Sequence, residues 1–315
     1  MKLYPMVLTP FVSETVWGGR RLIDEYSVVT DKRNAAEAWV MSAHKSGSST
    51  VANGEFAGRT LREVYLEHPE LGGKNCAGFS DFPVLIKFID AAADLSVQVH
   101  PDDAYCLKKG SGAGKTESWY ILDCEPGAYL LLGFEKDITR EQFRQSITDG
   151  TLTDYVKKVP VKKGDFFFIE SGTLHAICKG ILLAEVQQNS DTTYRIYDYG
   201  RLGFDGKPRE LHVEDAVNVT HTGVYKNPCT PKKDGNVTNL VACPFFTERV
   251  LDVNGSFDGT ADEKSFVSLL ILDGAGSLEC AGETLEFSKG GSIFIPANCG
   301  EYKINGEAKI LETRV

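Results

Sequence analysis

The sequence predicts a mainly β protein of the β-sandwich or jelly-roll type, with a few short helices added to it. Apolar or alternating runs of about strand length recur along the 315 residues, and most are bounded by Gly, Pro or Asp. Glycine is abundant, with 31 residues, as expected of a chain with many turns. Helical patterns are fewer, which favours packed sheets over a regular alternation of strands and helices.

The clearest strand patterns lie in the first two thirds of the chain. They cover residues 83–91, 95–101, 118–123, 128–134, 165–171 and 181–188. Each run combines aliphatic or aromatic residues with flanking turn formers, which is typical of strands buried on at least one face.

Helices are predicted in three places. The pattern over 60–68 begins at Thr60, a good N-cap residue, and stops before a proline. The segment 138–157 contains a helix that ends near Asp149, followed by a further turn. A short helix is also expected over 211–218. These segments form a small helical insertion in an otherwise β-rich chain.

The character of the sequence changes after about Gly223. A polar stretch rich in Pro and Gly follows and indicates a linker, and only strand-like runs come after it. We therefore expect two units, residues 1–222 with the helical segments and residues 223–315 without them.

An internal similarity supports this division. Residues 162–176 (KKGDFFFIESGTLHA) align without gaps to residues 288–302 (SKGGSIFIPANCGEY), which predicts two related β-barrel units. The alignment places His175 opposite Glu301. Because no histidine follows His221, a histidine-based metal site in the second unit is excluded, and we expect a structural role for that unit.

Charge and hydropathy limit the partners. The net charge of −10 argues against nucleic acid or an anionic membrane as the main partner, although a local basic pocket can still bind a small anion. The N-terminal region lacks a signal-peptide pattern, and no run approaches 18 apolar residues. The eight cysteines are scattered without a C-x-x-C pair, so we expect reduced thiols, a cytoplasmic location and no thiolate metal site.

Four residues have the chemistry of a metal site. Strand alternation places Gln98 and His100 on one face, while His175 follows a glycine turn after an aromatic strand and Glu117 precedes another strand. Two imidazoles, a carboxylate and an amide oxygen suit zinc or a similar divalent ion. A histidine at a strand end is also often only hydrogen-bonded, so the spacing alone leaves both interpretations open.

A dense polar run follows the strand over 181–188. Glu185, Asp191 and Arg195 lie within eleven residues of one another. An arginine in such a run suits a phosphate or an anionic intermediate, because its guanidinium presents a fork of donors. A loop with an ordinary surface Arg–Asp pair is the alternative.

Taken together, these strings resemble a known family. The segments PVLIKFIDA, LSVQVHPDD, GKTESWY, SGTLHAI and EVQQNSDTTYRIYDYGR resemble the type I mannose-6-phosphate isomerases (phosphomannose isomerases) of the cupin superfamily. The segments VWGG and AEAWVMSAH fit as well. The similarity covers essentially the whole chain and is greatest to the short bacterial form. It implies two cupin/jelly-roll β-barrels with a small helical insertion, the first catalytic and the second without a metal site.

The resemblance also implies residue roles. The metal ligands would be Gln98, His100, Glu117 and His175, holding one divalent ion, most simply Zn²⁺. The catalytic residues would be Arg195, Lys115, Asp191 and Glu185, and the substrate-binding residues Ser96, Lys87, Arg201, Trp17 and Glu37. The implied reaction interconverts mannose 6-phosphate and fructose 6-phosphate through a cis-enediol(ate). The general base is open between Asp191 acting with His100, and Glu185.

Some features are left open or differ from the family. Thr15-Val16 and Ile177 stand where many members have other residues, which affects contacts to the sugar ring. Another metal-dependent cupin enzyme, such as an oxygenase, fits the same two histidines and carboxylate. A non-catalytic sugar-phosphate-binding cupin is a further alternative. A small-molecule sugar phosphate is the expected partner of a monomer or homodimer.

Overall fold

The computed structural model of the chain describes residues 2–315, which form twenty-two strands and five α-helices. The strands of the first part are β1 (Met6–Thr9), β2 (Phe11–Ser13), β3 (Glu37–Met41), β4 (Ala43–His44), β5 (Gly47–Ser48), β6 (Thr50–Val51), β7 (Val84–Ala91), β8 (Val97–Val99), β9 (Glu117–Cys124), β10 (Tyr129–Phe134), β11 (Val156–Pro160), β12 (Phe166–Ile169), β13 (His175–Ile177), β14 (Ile181–Gln188) and β15 (Tyr194–Tyr197). Those of the last part are β16 (Lys232–Asp234), β17 (Val237–Ala242), β18 (Thr247–Ala261), β19 (Val267–Cys280), β20 (Glu283–Ser288), β21 (Ser292–Ile295) and β22 (Gly300–Arg314).

The helices are short. They are α1 (Arg21–Tyr26), α2 (Leu61–Glu67), α3 (Asp103–Lys109), α4 (Arg140–Thr148) and α5 (Val213–Val219), with 3₁₀ turns at Pro69–Gly72, Lys74–Gly78 and Leu152–Asp154. None of the helices within residues 2–315 combines the length and apolar composition needed to cross a membrane.

Two antiparallel sheets form the first part of the molecule. A five-stranded sheet has the order β11-β10-β13-β8-β15, and a six-stranded sheet has the order β12-β9-β14-β7-β3-β2. They pack face to face through apolar side chains such as Trp119 and Ile121 on one sheet and Leu130 on the other. The opposite face of the five-stranded sheet is covered by α4 and α5, through residues such as Phe143 and Val217.

A nine-stranded sheet forms most of the last part of the chain. Its order is β16-β17-β18-β22-β19-β21-β1-β6, with β20 paired to β19. Phe294 and Leu270 of this sheet share an apolar cluster with Phe88 and Val186 of the six-stranded sheet. The six-stranded sheet is therefore buried on both faces, with the five-stranded sheet on one side and the nine-stranded sheet on the other.

The first strand of the chain belongs to this last sheet. β1 pairs with β21 in antiparallel register, with Met6 opposite Phe294 and Val7 opposite Ile293. The start of the chain thus completes a sheet that is otherwise built mainly from residues beyond 232.

The mainly β fold class is confirmed, but the predicted closure into two barrels is not. In residues 2–315 each of the three large sheets ends in edge strands, such as β11 and β15 of the five-stranded sheet. The polypeptide instead stacks open sheets, and side chains between the layers form the core.

The predicted helices are present. α2 begins after Thr60 in a capping box with Glu63, and α4 begins after Thr139 in a second capping box. The predicted turn after α4 is a 3₁₀ helix, and α5 lies near the predicted third helix. α1 and α3 were not predicted, although Asp102 caps α3 with a hydrogen bond from the Tyr105 amide.

The two similar segments share local structure. β12 and β21 lie at the same offset within residues 162–176 and 288–302. Gly164 and Gly290, at equivalent positions before these strands, have φ angles of 89° and 88°. Glycine suits both sites because a side chain is strained at such an angle.

Candidate active site

Polar side chains meet between the five-stranded and six-stranded sheets. Val97 and Val99 of β8 pack in the outer apolar cluster, so Gln98 faces the other sheet and His100 follows in the same direction. His175, the first residue of β13, pairs with Gln98 in the sheet. Glu117 begins β9 in the opposite sheet. The two sheets therefore bring all four predicted metal ligands to one place.

Three of these side chains form a compact buried cluster. Glu117 Oε2 lies 3.6 Å from His100 Nε2, and Glu117 Oε1 lies 3.4 Å from His175 Nε2. The potential ligand atoms of the three residues all lie within 4.8 Å of one another. Gln98 Nε2 is 3.4 Å from His175 Nε2, so the amide adjoins the cluster.

Hydrogen bonds orient both imidazoles. His100 Nδ1 lies 2.9 Å from the carbonyl oxygen of Thr192, and His175 Nδ1 lies 2.8 Å from that of Thr173. Because Nδ1 donates to a carbonyl in each case, Nε2 presents its lone pair to the cluster centre. Burial lowers the pKa of His100 well below its ordinary value and that of His175 to about 4, so both rings are neutral.

The cluster fits a divalent cation. The carboxylate of Glu117 is buried, and its Oε1 accepts no hydrogen bond from residues 2–315. A buried carboxylate oxygen without a partner is costly, and a cation between the two imidazoles would satisfy it. Two neutral imidazoles and a carboxylate are donors that zinc and similar ions prefer.

A network of lysines and glutamates extends from this cluster. Lys115 Nζ lies 2.8 Å from Glu117 Oε2 and 3.2 Å from His100 Nε2. Lys87 Nζ lies 3.3 Å from Glu185 Oε1 and 3.6 Å from Glu37 Oε2. Burial alone would lower the pKa of Lys87, but the two neighbouring carboxylates outweigh it and raise that pKa. Lys87 is therefore a charged residue held between two acids.

Glu185 is held from two sides. Its Oε2 accepts a 2.9 Å hydrogen bond from Trp119 Nε1, and Lys87 approaches its Oε1. Burial raises the pKa of this carboxyl, but Lys115, Lys87 and the Trp119 hydrogen bond together lower it more. Glu185 is thus ionised although it is buried.

A cavity of about 200 Å³ adjoins this network of lysines and glutamates. It is lined by Thr15, Trp17, Glu37, Trp39, Lys87, Ile89, Leu95, Ser96, Gln98, Lys115, Ile177, Glu185, Ser190, Asp191, Thr193, Arg195 and Arg209. A larger cavity of about 940 Å³ lies in the last part of the chain, but no histidine lines it. The cavity of about 200 Å³ is the one that adjoins the cluster of His100, Glu117 and His175.

Arg195 and Asp191 both line this cavity. Arg195 Nε donates to Ser96 Oγ at 3.2 Å, and its Nη1 donates to the Glu210 carbonyl oxygen at 3.1 Å. Burial and the nearby Arg209 lower the pKa of Arg195. The Asp191 side chain is 54% exposed and accepts a 3.1 Å hydrogen bond from Ser46 Oγ.

Arg201, a predicted substrate-binding residue, does not line the cavity, whereas Arg209, for which no role was predicted, does. Arg201 is not among the lining residues; its Nη2 lies 2.7 Å from Asp198 Oδ1, and it also bonds to the Asp94 carbonyl. Arg209 does line the cavity, and its Nε donates to Asp198 Oδ2 at 2.7 Å. No periodic pattern marks Arg209, because it lies outside any strand or helix.

Trp39 was also not predicted as a cavity residue, although its spacing from Glu37 in the sequence indicated it. Glu37 and Trp39 alternate along β3, so they share a face, and Trp39 Nε1 donates to Glu37 Oε2 at 2.6 Å. Thr15 and Ile177, where this chain differs from many family members, both line the cavity. The differences therefore concern the cavity wall and leave the buried cluster unchanged.

Comparison with known proteins agrees with this geometry. Residues 6–120 match the family model of the phosphomannose isomerase type I catalytic domain, and residues 236–315 match that of the mannose-6-phosphate isomerase cupin domain. The chain is 40% identical to "Probable mannose-6-phosphate isomerase GmuF" of Bacillus subtilis, with 98% of each chain covered. It is 38% identical to the mannose-6-phosphate isomerase of Streptococcus mutans, covering 98% of this chain and 97% of that one.

A solved structure shows the same fold. The crystal structure of a mannose 6-phosphate isomerase from Bacillus subtilis superimposes with a TM-score of 0.90 at 35% identity, with 99% of each chain covered. Both family models and the full-length relatives agree, and the chain therefore belongs to the type I mannose-6-phosphate isomerase (phosphomannose isomerase) family.

Proposed function

We propose that this chain interconverts mannose 6-phosphate and fructose 6-phosphate, using one divalent metal ion for which zinc suits the donor set. The observation that carries the proposal is the buried His100–Glu117–His175 cluster, which contacts Gln98 and Lys115 in the wall of a cavity that arginines also line. The relatives' names supply mannose 6-phosphate as the substrate, and fructose 6-phosphate is the ketose that its aldose–ketose isomerisation would give. The first unit, residues 1–222, would hold the catalytic site, and residues 223–315 would lack a metal site.

The metal would be held by His100, Glu117 and His175, with Gln98 as a fourth ligand. Gln98 Oε1 now accepts from Ser96 Oγ at 3.3 Å, while its Nε2 faces His175. Rotation of the amide by about 180° exchanges these atoms and presents oxygen to the cluster. A bound divalent ion would act as a Lewis acid toward the sugar carbonyl oxygen.

The residues of the chain would move the proton between C2 and C1 through a cis-enediol(ate). Glu185 is one candidate base, because it lines the cavity and its Oε1 accepts no hydrogen bond from residues 2–315. Asp191 acting with His100 is the other, since His100 Nδ1 bonds to Thr192, the neighbour of Asp191. Lys115 would orient substrate oxygens, because its Nζ lies beside both His100 and Glu117.

The anionic end of the substrate would lie beside two arginines. Arg195 and Arg209 both line the cavity, and their guanidinium groups suit a phosphate. Arg195 could alternatively stabilise the enediolate. Trp17, Glu37 and Ser96 also line the cavity, where they would contact the sugar. Arg201 would act indirectly, by holding Asp198 beside Arg209.

Chelation tests whether turnover requires a divalent metal ion. Removal of divalent ions should abolish isomerase turnover, and zinc, manganese or cobalt should restore part of it. Full activity of the metal-free protein would exclude the proposed role. Turnover in the absence of O₂ would separate the isomerase from a cupin oxygenase, and solvent tritium exchange at substrate C2 would separate proton transfer from a hydride shift.

Substitution of Arg195 tests whether this cavity residue acts in catalysis. Arg195→Ala should lower kcat by about 10²-fold or more while the metal content stays near one per chain. Arg144→Ala is a suitable control, because Arg144 pairs with Glu214 on the surface and should leave kcat unchanged. Loss of metal from Arg195→Ala would instead assign a structural role to this residue.

A further inference from the structure

Two cysteines bring their sulfur atoms together outside the active site. Cys280 is the last residue of β19, and Cys299 precedes β22. Cys280 Sγ donates a hydrogen bond to Cys299 Sγ at 3.4 Å. All eight cysteines lie within residues 2–315, and no other two of them form a sulfur–sulfur hydrogen bond there.

The two thiols have unequal surroundings. Cys280 is only 3% exposed within the apolar cluster of the last sheet, whereas Cys299 is partly exposed at its edge. The hydrogen bond from Cys280 lowers the pKa of the Cys299 thiol and raises that of Cys280. Cys299 is therefore the more accessible and more readily ionised sulfur, and Cys280 lies directly behind it.

We propose that Cys280 and Cys299 form a dithiol that hydrogen peroxide converts to a disulfide. The Cys299 thiolate would attack one peroxide oxygen, and the O–O bond would break to leave Cys299 sulfenic acid and hydroxide. Cys280 would then lose its proton and attack the Cys299 sulfur, which breaks the S–O bond and releases water. Overall, two thiols and one peroxide give one disulfide and two waters.

The backbone holds the two cysteines beside each other. Cys280 pairs with Tyr302 in the β19–β22 ladder, so the strand that follows Cys299 is already held beside it. Cys299 lies in a turn in which its amide donates to the Pro296 carbonyl, after Asn298 at a φ of 63°. Side-chain rotation within this turn would shorten the sulfur separation toward the ~2.05 Å of a disulfide.

A metal site explains the pair less well. The only group of three or more His, Cys, Asp or Glu side chains with metal-type spacing in residues 2–315 is His100, Glu117 and His175. Two thiols without further ligands do not complete a zinc site. The bond would instead join the two ends of the segment that contains β20 and β21.

Peptide mapping of the full-length, metal-loaded protein tests the proposal. After peroxide treatment and blocking of free thiols, trypsin separates the two cysteines, because Lys289 lies between them in the sequence. Peptides 265–289 and 290–303 should be joined, with a mass about 2 Da below the sum of the thiol forms, and dithiothreitol should separate them. The oxidised protein should also unfold at a temperature about 5 °C higher, since a closed loop restricts the unfolded chain.

Serine variants assign the two roles. In Cys280→Ser, Cys299 should stop at a sulfenic acid that dimedone captures, and in Cys299→Ser, Cys280 should stay reduced. Cys124→Ser is the matched control, because Cys124 is partly exposed and bonds to the Val161 carbonyl, and it should leave the cross-link intact. The proposal fails if treated wild-type protein keeps both thiols free, or if either one joins a different cysteine.

Discussion

Residues 162–176 and 288–302 have a similar local backbone conformation but differ in their surroundings. Both contain a glycine with φ near 90°, a four-residue strand and a turn with a second positive φ, at Gly172 and Asn298. In the first segment the turn leads to His175, which is buried beside Glu117. In the second it leads to Glu301, which is exposed.

The difference extends to the interior next to each segment. The space beside His175 contains charged and amide side chains and a cavity. Beside the second segment, Ile293 and Ile295 belong to a cluster of mainly aliphatic residues such as Leu269, Ile304 and Ile310. A similar backbone therefore adjoins a polar site in one place and an apolar cluster in the other, and the side chains at a few positions decide which one forms.

The largest expected effect comes from placing the second segment's residue in the first. His175→Glu should lower kcat/KM by about 10³-fold or more and abolish stoichiometric metal binding, because two carboxylates would then replace one imidazole and one carboxylate. Isomerase assays and metal analysis measure both quantities, and circular dichroism checks the fold. Retained metal and activity would show that His175 is not a ligand.

Lys87→Met should have the next largest effect. It removes the cation that lies between Glu37 and Glu185, so it should lower the free energy of unfolding by about 3–5 kcal/mol. Urea unfolding measures this loss. Lys162→Met is the control, since Lys162 pairs with Asp165 at the surface and should change stability little. A raised KM with unchanged stability would instead support direct substrate binding by Lys87.

Glu248 forms a buried contact between the nine-stranded sheet and the six-stranded sheet. It lies on β18, is 2% exposed, and accepts a hydrogen bond from Ser118 of the six-stranded sheet. Burial raises its pKa from the ordinary 4.5 to about 8. The folded protein therefore binds a proton that the unfolded chain releases, and stability is lost as the pH rises from about 4.5 to about 8.

Glu248→Gln should remove this loss of stability at rising pH. The difference in unfolding free energy between the variant and the wild type should grow in favour of the variant by at most about 1.4 kcal/mol per pH unit over that range. Urea unfolding at several pH values measures it. Glu301→Gln, at an exposed carboxylate, should leave the wild-type pH dependence unchanged, and parallel curves for wild type and Glu248→Gln would contradict the assignment.

Glu301→His should have the smallest effect. The imidazole would be exposed and without the neighbours that His175 has, so activity should be unchanged and stability should alter by less than about 0.5 kcal/mol. Metal analysis should still give one ion per chain. A second bound ion would mean that the last sheet retains more of a metal site than its side chains indicate.

Local patterns predicted much of this molecule. Alternation brought Gln98 and His100 to one face, and capping residues marked α2 and α4. These features depend on residues close together in the sequence. The arrangement of Glu117 opposite the histidines was implied by the family resemblance, because pairing of distant strands leaves no local signal.

The missed features share a physical reason. The pairing of β1 with β21 joins residues almost 290 positions apart, and nothing in either strand specifies its partner. Whether a sheet closes into a barrel depends on such pairings at its edges. Arg209 lies outside any strand or helix, so no period predicted that it would face the cavity.

The pairing of β1 with β21 also affects when the last sheet can fold during synthesis of the chain. Met6 is synthesised well before its partner Phe294, because almost 290 residues separate the two in the sequence. The edge of β1 that pairs with β21 must therefore wait for β21 to be synthesised, although β6 can pair with the other edge earlier, and this long separation favours slow closure of the last sheet. A fragment limited to residues 223–315 would expose one edge of β21 and should be prone to intermolecular strand pairing.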